Sequence, residues 1–287
     1  MPETSLDLPR LATSWLIVLR AERKSAATLR AYRIGVELFC AFSEVLDKSR
    51  VIEWLATMEH VEPATARLRL AAVKQFAKWL AAEGYLDADP ILMVHPPKLD
   101  QKPVPNLSDD EIARLLKACS GKDWRAKRDR AMVALLAETG LRAGELLGLD
   151  VSDVDLPGCS LMVRRGKGAR GRRVRFSPSA AAAIDRYQRS VSTLSGPLWL
   201  GMSGRLTYTG LRHSLGQRAT AAGVTGFHVH RLRHSAAVRW LAAGGSEGGL
   251  MAQAGWQSRE MIDRYVSTAK EHLAAEEFDR LGLGLDR

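Results

Sequence analysis

The amino-acid sequence predicts a mainly α-helical protein with a small antiparallel β-sheet, arranged as two domains. Apolar residues recur at helical spacing through residues 12–84, whereas residues 150–176 alternate with a period of two, as strands do. Between these stretches, residues 86–106 contain five of the chain's 11 prolines, which favours an extended linker. The 287 residues suffice for two domains, and we place them as a helical domain at 1–85, a linker at 86–106, a second domain at 107–275 and a tail at 276–287.

The charge of the chain indicates a polyanionic partner. The formal net charge is +10 and the sequence pI is about 9.8. Residues 1–85 hold 12 Lys+Arg against 10 Asp+Glu, while residues 107–287 hold 28 against 19, so most of the excess lies in the second domain. Nucleic acid is the first partner that this balance suggests, and a basic surface without such a role is the alternative.

The sequence argues against secreted and membrane proteins. The three cysteines are single and widely spaced, so they predict neither a disulfide framework nor a metal clip and fit a reduced intracellular protein. The N-terminus shows no signal-peptide pattern, and no apolar run is long enough to span a bilayer.

In the first domain, local signals place three helices. Ser25 is a suitable N-cap for a helix that reaches about Val45, and residues 53–58 lie in a shorter helix. Pro63 suits the first turn of another helix, which Gly84 ends. Five residues of this last helix share helical spacing and form one predicted apolar stripe: Leu68, Ala72, Phe76, Trp79 and Leu80. Three cations of the same helix lie on a different face and either are simply solvated or follow a DNA backbone: Arg67, Lys74 and Lys78.

The second domain begins with a helix that Ser108 and Glu111 cap reciprocally. An apolar helix covers 131–138, and further helices cover 177–190 and 206–222. Strand patterns occupy 150–176, with a glycine-marked turn between the last two strands. Residues 244–249 contain four glycines, which weighs against a helix there.

Several spacings in the second domain are typical of phosphate chemistry. Arg142 and Glu145 are three residues apart, so the carboxylate either holds a phosphate-binding guanidinium or forms an ordinary surface ion pair. His230 and Arg233 repeat this spacing, and together they combine a proton carrier with a fork for phosphate oxygens. Tyr265 is a covalent nucleophile if cationic groups surround its target. A metal held by His228, His230 and His234 is a weaker alternative, because arginines interleave them.

A strongly basic stretch lies in the predicted hairpin. Residues 164–175 contain seven basic side chains and no acidic one, and Lys167 is the only lysine among them. Lys167 is either a solvated charge or a proton donor to a scissile phosphate, because the pKa of lysine is tunable and that of arginine is not. Four arginines of this stretch are predicted to bind DNA: Arg164, Arg165, Arg170 and Arg172.

Taken in order, these residues resemble the signature of the tyrosine recombinase (phage integrase) family. Thr139–Leu146 reads T-G-L-R-x-x-E-L around the first arginine, Lys167 lies in the hairpin, and residues 230–234 read His-x-L-R-His. Gly255-Trp256 matches the family's Gly-His/Trp step, and Tyr265 follows nine residues later. The resemblance covers the second domain, which would be a mixed α/β catalytic domain of tyrosine-recombinase type. The first domain looks like the family's core-site DNA-binding domain.

The resemblance implies a role for each matching residue. Tyr265 would attack a DNA phosphodiester and form a 3′-phosphotyrosine link, while Arg142 and Arg233 bind the non-bridging oxygens. Lys167 would protonate the leaving 5′-oxygen, and His230 would assist proton transfer. Trp256, which stands where most relatives have His, would hydrogen-bond the phosphate through its indole N–H but cannot perform acid–base chemistry. No metal or other cofactor is expected, because the arginines supply the positive charge.

The resemblance also implies partners and a location. We expect double-stranded DNA recombination sites, a homotetramer assembled on them by exchange of the C-terminal tail, and a directionality factor. The tail packing on its own domain is the alternative. The expected location is the bacterial cytoplasm or nucleoid, away from membranes. Integration and excision of a phage or other mobile element is the first functional expectation, and resolution of chromosome or plasmid dimers the second. A type IB topoisomerase and a non-catalytic DNA-binding regulator are the rivals outside the family.

Overall fold

The computed structural model describes residues 6–98, 106–164, 171–192, 194–266 and 270–282. Over these residues the chain is mainly α-helical with a small antiparallel sheet, which confirms the predicted fold class. It divides into two compact units, Met1–Gln101 and Lys102–Arg287. The point of division lies inside the proline-rich stretch.

The described part of the first unit is a bundle of four helices. They are α1 (Leu8–Ala21), α2 (Ala26–Phe42), α3 (Lys48–Ala56) and α4 (Pro63–Ala82). The Ser25 side chain accepts a hydrogen bond from the Thr28 amide, as expected of an N-cap, although α2 ends at Phe42 rather than near Val45. Gly84 follows α4 with φ +76°, a conformation that glycine adopts without strain.

Aromatic packing and one glycine hold this bundle together. Trp15 lies against Phe76, and Phe39 meets Trp54 edge-on. Helices α2 and α4 approach closely at Gly35, where an added Cβ would lie 2.7 Å from the Cβ of Ala72. A larger residue at this position would therefore force the two helices apart.

The predicted apolar stripe of α4 is wrong at one position. Leu68 is half exposed, whereas Ala66 and Leu70 are buried. Two residues correspond to about 200° of rotation around a helix, so Leu68 faces away from the side that its two neighbours bury. Beyond α4, Ile91 and Val94 of the proline-rich stretch are buried in the core of the same unit.

The second unit packs its helices around a buried central helix, α6 (Trp124–Thr139). The other helices, in chain order, are α5 (Asp109–Ala118), α7 (Ala143–Leu147), α8 (Pro178–Val191), α9 (Tyr208–Ala221), α10 (Val229–Ala242), α11 (Glu247–Ala254), α12 (Arg259–Val266) and α13 (Lys270–Leu281). The capping box predicted for Ser108 and Glu111 is present at the start of α5. In this chain α13 lies against α10.

A small antiparallel sheet occupies one side of this unit. Its strands β1 (Val154–Asp155), β2 (Ser160–Val163) and β3 (Arg172–Arg175) pair in chain order. Leu161 lies opposite Val174 in the register, and both are buried. A two-stranded ribbon, β4 (Leu200–Gly201) and β5 (Gly204–Arg205), follows α8. Residues 165–170, between β2 and β3, lie outside the described residues.

The glycine-rich stretch forms a helix, contrary to our expectation. Helix α11 begins after Ser246, whose side chain accepts a hydrogen bond from the Gly249 amide. An added Cβ would lie 2.3 Å from the indole nitrogen of Trp240 at Gly245 and 2.9 Å from its ring at Gly249. The glycines thus make room for this indole, and the packing offsets their low helix propensity.

Candidate active site

Arg142 is fixed where α6 turns into α7. Gly140 ends α6 in the left-handed conformation, and Arg142 is the N-cap of α7. The Arg142 guanidinium donates to the Glu145 carboxylate at 3.0 Å and to the carbonyl oxygen of Gly255 at 3.1 Å. About a third of its side chain remains exposed, so this guanidinium is held in place and still accessible.

Glu145 is the buried anion beneath this arginine. Its side chain is only 5% exposed. One carboxylate oxygen accepts from the Arg142 amide at 2.9 Å, and both oxygens accept from Arg172 at 3.0 and 2.9 Å. Burial works to raise the pKa of Glu145, but the hydrogen bonds and charges of Arg172 and Arg142 outweigh it, so the pKa is lowered.

Arg233 is the second arginine of the site and is 1% exposed. It lies on α10 and donates to two carbonyl oxygens, that of Gly140 and, at 3.0 Å, that of Ala254. Its guanidinium carbon also lies 5.1 Å from the centre of the Trp256 ring. Main-chain oxygens and an aromatic face therefore surround this buried cation.

The two arginines meet at one turn. Arg233 binds the carbonyl oxygen of Ala254, the last residue of α11, and Arg142 binds that of the next residue, Gly255. Gly255 adopts the left-handed conformation that ends α11. Trp256 follows at once and is buried with Ala254 and Ile262. The turn at 254–256 thus brings together Arg142 at the start of α7, Arg233 of α10 and Ile262 of α12.

His230 stands at the start of α10, on the exposed side of a helix whose residues 231–238 are all buried. Its ring meets that of His234 edge-on, with 5.2 Å between the ring centres. Partial burial, followed by the positive charges of His234, Arg233, His228 and Arg142, lowers the pKa of His230 from 6.5 to about 4. At neutral pH His230 is therefore uncharged and able to accept a proton.

The structure describes the candidate nucleophile only in part and does not describe the candidate general acid. Tyr265 belongs to α12, but its side chain lies outside the described residues. Ile262, three residues before Tyr265 in α12, is buried beside Trp256, so α12 itself is anchored next to the site. Lys167, Arg165 and Arg170 all fall within 165–170 and also lie outside the described residues.

Most of the predicted DNA-binding residues that the structure describes have protein contacts. Arg67 donates to the carbonyl oxygen of Pro97 and Lys74 to that of Leu92, both at 2.9 Å, while Lys78 is exposed. Arg164 is exposed and pairs with Asp153. Arg172 was also predicted to bind DNA. Its side chain is 15% exposed and binds Glu145 and the end of α11.

Two residues of the site escaped the sequence analysis. His234 was noted as the last residue of the His-x-L-R-His box and in the metal alternative but was given no role, and it contacts His230. Arg172 was grouped with its basic neighbours, because nothing in the local sequence links it to a carboxylate 27 residues away. Among the described residues no group of His, Cys, Asp and Glu is arranged to hold a metal ion. Within the same ranges we find no helix with the length and hydropathy needed to span a bilayer.

Two segments of the chain match known protein families. Residues 105–272 match the phage integrase family, and residues 12–84 match the phage integrase N-terminal SAM-like domain. Tyrosine recombinase XerC of Yersinia pestis is 27% identical over 290 residues, which cover 96% of this chain and 95% of that protein. Tyrosine recombinase XerD of Caulobacter vibrioides is 34% identical over 227 residues, covering 75% and 74%.

A solved structure agrees with these sequence matches. The structure of a lambda integrase tetramer bound to a Holliday junction superposes with a TM-score of 0.72 at 17% identity and covers 90% of this chain and 79% of that one. At this identity the likeness concerns the fold. The family matches and the XerD relative decide the assignment. The chain therefore belongs to the phage integrase family of tyrosine recombinases, enzymes that cleave and rejoin DNA through a phosphotyrosine intermediate.

Proposed function

We propose that this chain recombines DNA at specific sites with Tyr265 as its nucleophile. The observation that carries the proposal is the convergence of Arg142 and Arg233 on consecutive carbonyl oxygens of one turn, beside the uncharged His230. Two guanidinium groups fixed in this way match the two non-bridging oxygens of a phosphodiester. The six residues assigned to catalysis are Arg142, Lys167, His230, Arg233, Trp256 and Tyr265, with Glu145 in support.

The proposed cleavage step needs neither a metal nor an external energy source. The Tyr265 hydroxyl gives its proton to His230, and the phenolic oxygen attacks phosphorus. The bond between phosphorus and the 5′-oxygen breaks, and Lys167 protonates the leaving oxygen. The products are a 3′-phosphotyrosine link and a 5′-hydroxyl. Attack of a 5′-hydroxyl from the other DNA partner reverses the step and releases the tyrosine.

The assembly that performs strand exchange is also part of the proposal. The lambda integrase of similar fold forms a tetramer on a Holliday junction. We infer that this chain likewise acts as a tetramer on double-stranded recombination sites, with exchange of the segment from 276 onward between protomers and with a directionality factor as an additional partner. Its place of action is the bacterial cytoplasm or nucleoid, where the DNA substrate lies.

Two cellular outcomes are compatible with this chemistry. Resemblance to the compact form of the phage integrase family first suggested integration and excision of a phage or other mobile element. The match to XerC along nearly the whole of both chains equally accommodates resolution of chromosome or plasmid dimers. The positions of the natural sites separate them, because integration uses the ends of a mobile element and dimer resolution uses one site on a circular replicon.

The decisive test is covalent trapping. Purified protein is incubated with total DNA of the organism that encodes it, the mixture is denatured, and protein-linked fragments are sequenced. Wild-type protein is expected to retain fragments that share one sequence, whereas Tyr265→Phe retains none although it still binds the same DNA. Adducts formed equally by both proteins would move the nucleophile elsewhere. DNA binding without adducts from either would favour the non-catalytic regulator.

A further inference from the structure

We propose that Arg172 is a positioning residue, which holds Glu145 and the end of α11 so that both phosphate-binding arginines keep their geometry. The proposal rests on the proposed recombinase function and deepens it. Arg172 itself would touch neither DNA nor Tyr265. It would act through Glu145 on Arg142, and through the 253–255 turn on Arg233.

The hydrogen bonds of Arg172 are directed at protein acceptors. Its Nη1 and Nη2 donate to the two Glu145 oxygens at 3.0 and 2.9 Å. Its Nε donates to the carbonyl oxygen of Gln253 at 3.1 Å, and Nη2 also donates to that of Ala254 at 3.3 Å. These bonds use four of the five N–H groups of a guanidinium. Too little remains for a bidentate contact with a DNA phosphate.

The acceptors of Arg172 are those that also position the two arginines of the site. Glu145 accepts simultaneously from Arg172 and Arg142. The carbonyl oxygen of Ala254 accepts from both Arg172 and Arg233. Arg172 therefore links the two guanidinium groups through one shared acceptor on each side. Without it, the buried Glu145 carboxylate would keep Arg142 as its only cation among the described residues.

The backbone around Arg172 is shaped to receive it. At Gly255 the φ angle is +66°, and an added Cβ would lie 2.6 Å from the Arg172 guanidinium carbon. The guanidinium thus fills the space that a side chain at 255 would need. In addition, Arg172 begins β3 and pairs with Val163, five residues after Lys167 in the chain. It consequently anchors the strand that follows the segment carrying the proposed general acid.

The neighbouring Arg173 provides a matched control. It occupies the next position of β3 and donates to the hydroxyl of Ser160 instead of to the site. An arginine that contacts DNA and an arginine that positions catalytic groups differ in what their loss changes. Loss of a phosphate contact weakens binding, whereas loss of a positioning contact slows the reaction of bound DNA.

The experiment measures cleavage of bound DNA. The probe is a nicked duplex carrying the site recovered with wild-type protein, from which the short 5′-hydroxyl strand diffuses away so that the covalent adduct accumulates. Adduct formation is followed at saturating protein, and Kd is measured separately. Arg172→Gln is expected to slow adduct formation by about 10- to 100-fold while Kd changes by less than about threefold, the pattern for a residue that supports direct ligands. Arg173→Gln is expected to keep the wild-type rate.

The pH dependence of the cleavage rate and the rate of a double variant distinguish a positioning role from a general loss of stability. Among the described residues, Arg142 and Arg172 are the charged groups that face Glu145. In Arg172→Gln the pKa of Glu145 therefore rises, and the cleavage rate of this variant falls at acidic pH where the wild-type rate is still level. Arg172→Lys, which restores a positive charge but not the four bonds, recovers the acid side of this profile. Glu145→Gln combined with Arg172→Gln is expected to be no slower than the slower single variant.

Each outcome decides the proposal. A weakened Kd with an unchanged rate of bound DNA would make Arg172 a DNA contact and overturn it. Multiplied losses in the double variant, or a pH profile parallel to that of the wild type, would also overturn it. If Arg172→Gln does not fold, as judged by circular dichroism, Arg172→Lys carries the rate and coupling measurements. Wild-type protein that forms no adduct at all would refute the recombinase function, and the positioning role with it.

Discussion

At the level of single residues, main-chain carbonyl oxygens hold the two arginines of the proposed site. Arg233 is almost completely buried and binds the carbonyl oxygens of Gly140 and Ala254, while Arg142 binds that of Gly255. The planar fork of a guanidinium fixes the directions of its N–H groups toward two such oxygens, whereas an ammonium is a compact point charge with rotatable donors. The proposed role of Arg233 therefore requires the geometry of arginine as well as its charge.

Substitution of Arg233 by lysine tests this requirement. Arg233→Lys is expected to lower the rate of covalent adduct formation by about 100-fold or more, the loss typical when one donor to a developing oxyanion is removed. Arg231→Lys is the control, since Arg231 is also buried on α10 but binds the carbonyl oxygens of Thr225 and Asn106. Equal losses in both variants at equal thermal stability would contradict a specific role of Arg233.

The pKa of His230 leads to a second prediction at this scale. Histidine NMR, with His230→Gln to assign the signal, is expected to show a pKa of about 4. The pKa of His230 is about 6.5 in the unfolded chain, so above pH 6.5 neither state binds the proton and His230 does not lower the stability. Below pH 6.5 the unfolded chain binds the proton more readily than the folded protein does. Its destabilising contribution grows as the pH falls from 6.5 to about 4. His230→Gln should therefore lose less stability than wild type over this range in chemical denaturation. A measured pKa near 6.5 would contradict the prediction.

Sequence reasoning identified the local partner of Arg142 but not the distant one. Glu145 is three residues away on the same short helix, so spacing alone suggested the contact that the structure shows. Arg172 reaches the same carboxylate from another strand, and no local pattern records such a contact. Local composition placed Arg172 with six basic neighbours, although its environment differs from that of Arg164 and Arg173.

The turn that ends α11 is the decisive feature at the level of elements. It places two carbonyl oxygens toward the arginines and leads directly into Trp256. Gly255 permits both the left-handed backbone and the close approach of Arg172. The turn consequently demands glycine for two independent reasons.

Gly255→Ala tests both the left-handed backbone and the close approach of Arg172. The control is a glycine that has only the left-handed backbone. Gly196 also has a positive φ angle, +78°, but an added Cβ there would meet nothing within 4 Å. Gly196→Ala is expected to destabilise the protein by about 1–2 kcal/mol through backbone strain alone, with the cleavage rate of folded protein unchanged. Gly255→Ala is expected to cost more and also to slow adduct formation at least tenfold, because it displaces Arg172. Equal stability losses and unchanged cleavage in both would contradict this reading of the turn.

Elements with strong local signals were predictable, and those that depend on tertiary packing were not. The caps at Ser25 and Ser108 act within three residues and were found in the sequence. The glycine-rich α11 was not expected to be helical, since its helix propensity is low. Its helix depends on the Trp240 indole, which fills the space that the glycines leave. Propensity cannot register a partner from another helix.

For the whole molecule, the localisation of charge sets the expected mode of DNA binding. Residues 107–287 hold 28 Lys+Arg against 19 Asp+Glu, while residues 1–85 are nearly balanced.

The fold class of the whole molecule was predictable from periodicity, since helical and strand periods are properties of long stretches. A single wrong position, such as Leu68, does not change them. The meeting of α7, α10, α11 and β3 at one site depends on the tertiary arrangement, so the periodicity of the sequence could not predict it.

Salt dependence tests this electrostatic mode. The affinity of the wild-type protein for its recovered site is expected to fall by about 10³ or more between roughly 50 and 200 mM salt, as for proteins that neutralise six or more phosphates. Lys78→Gln, which removes one exposed cation of α4, is expected to reduce the slope of log K against log salt by about one if that helix follows the DNA backbone. An unchanged slope would show that Lys78 is simply solvated.

Anchoring the two arginines on the peptide backbone has a consequence for how this site can change over time. A side-chain anchor is lost when its residue mutates, but a carbonyl oxygen remains whatever residue carries it. Positions such as Ala254, whose contribution to Arg233 is its carbonyl oxygen, can vary as far as packing permits. Gly140 and Gly255, which fix the direction of the chain, cannot. A residue such as Ala254 can thus be replaced while the anchor of Arg233 is kept.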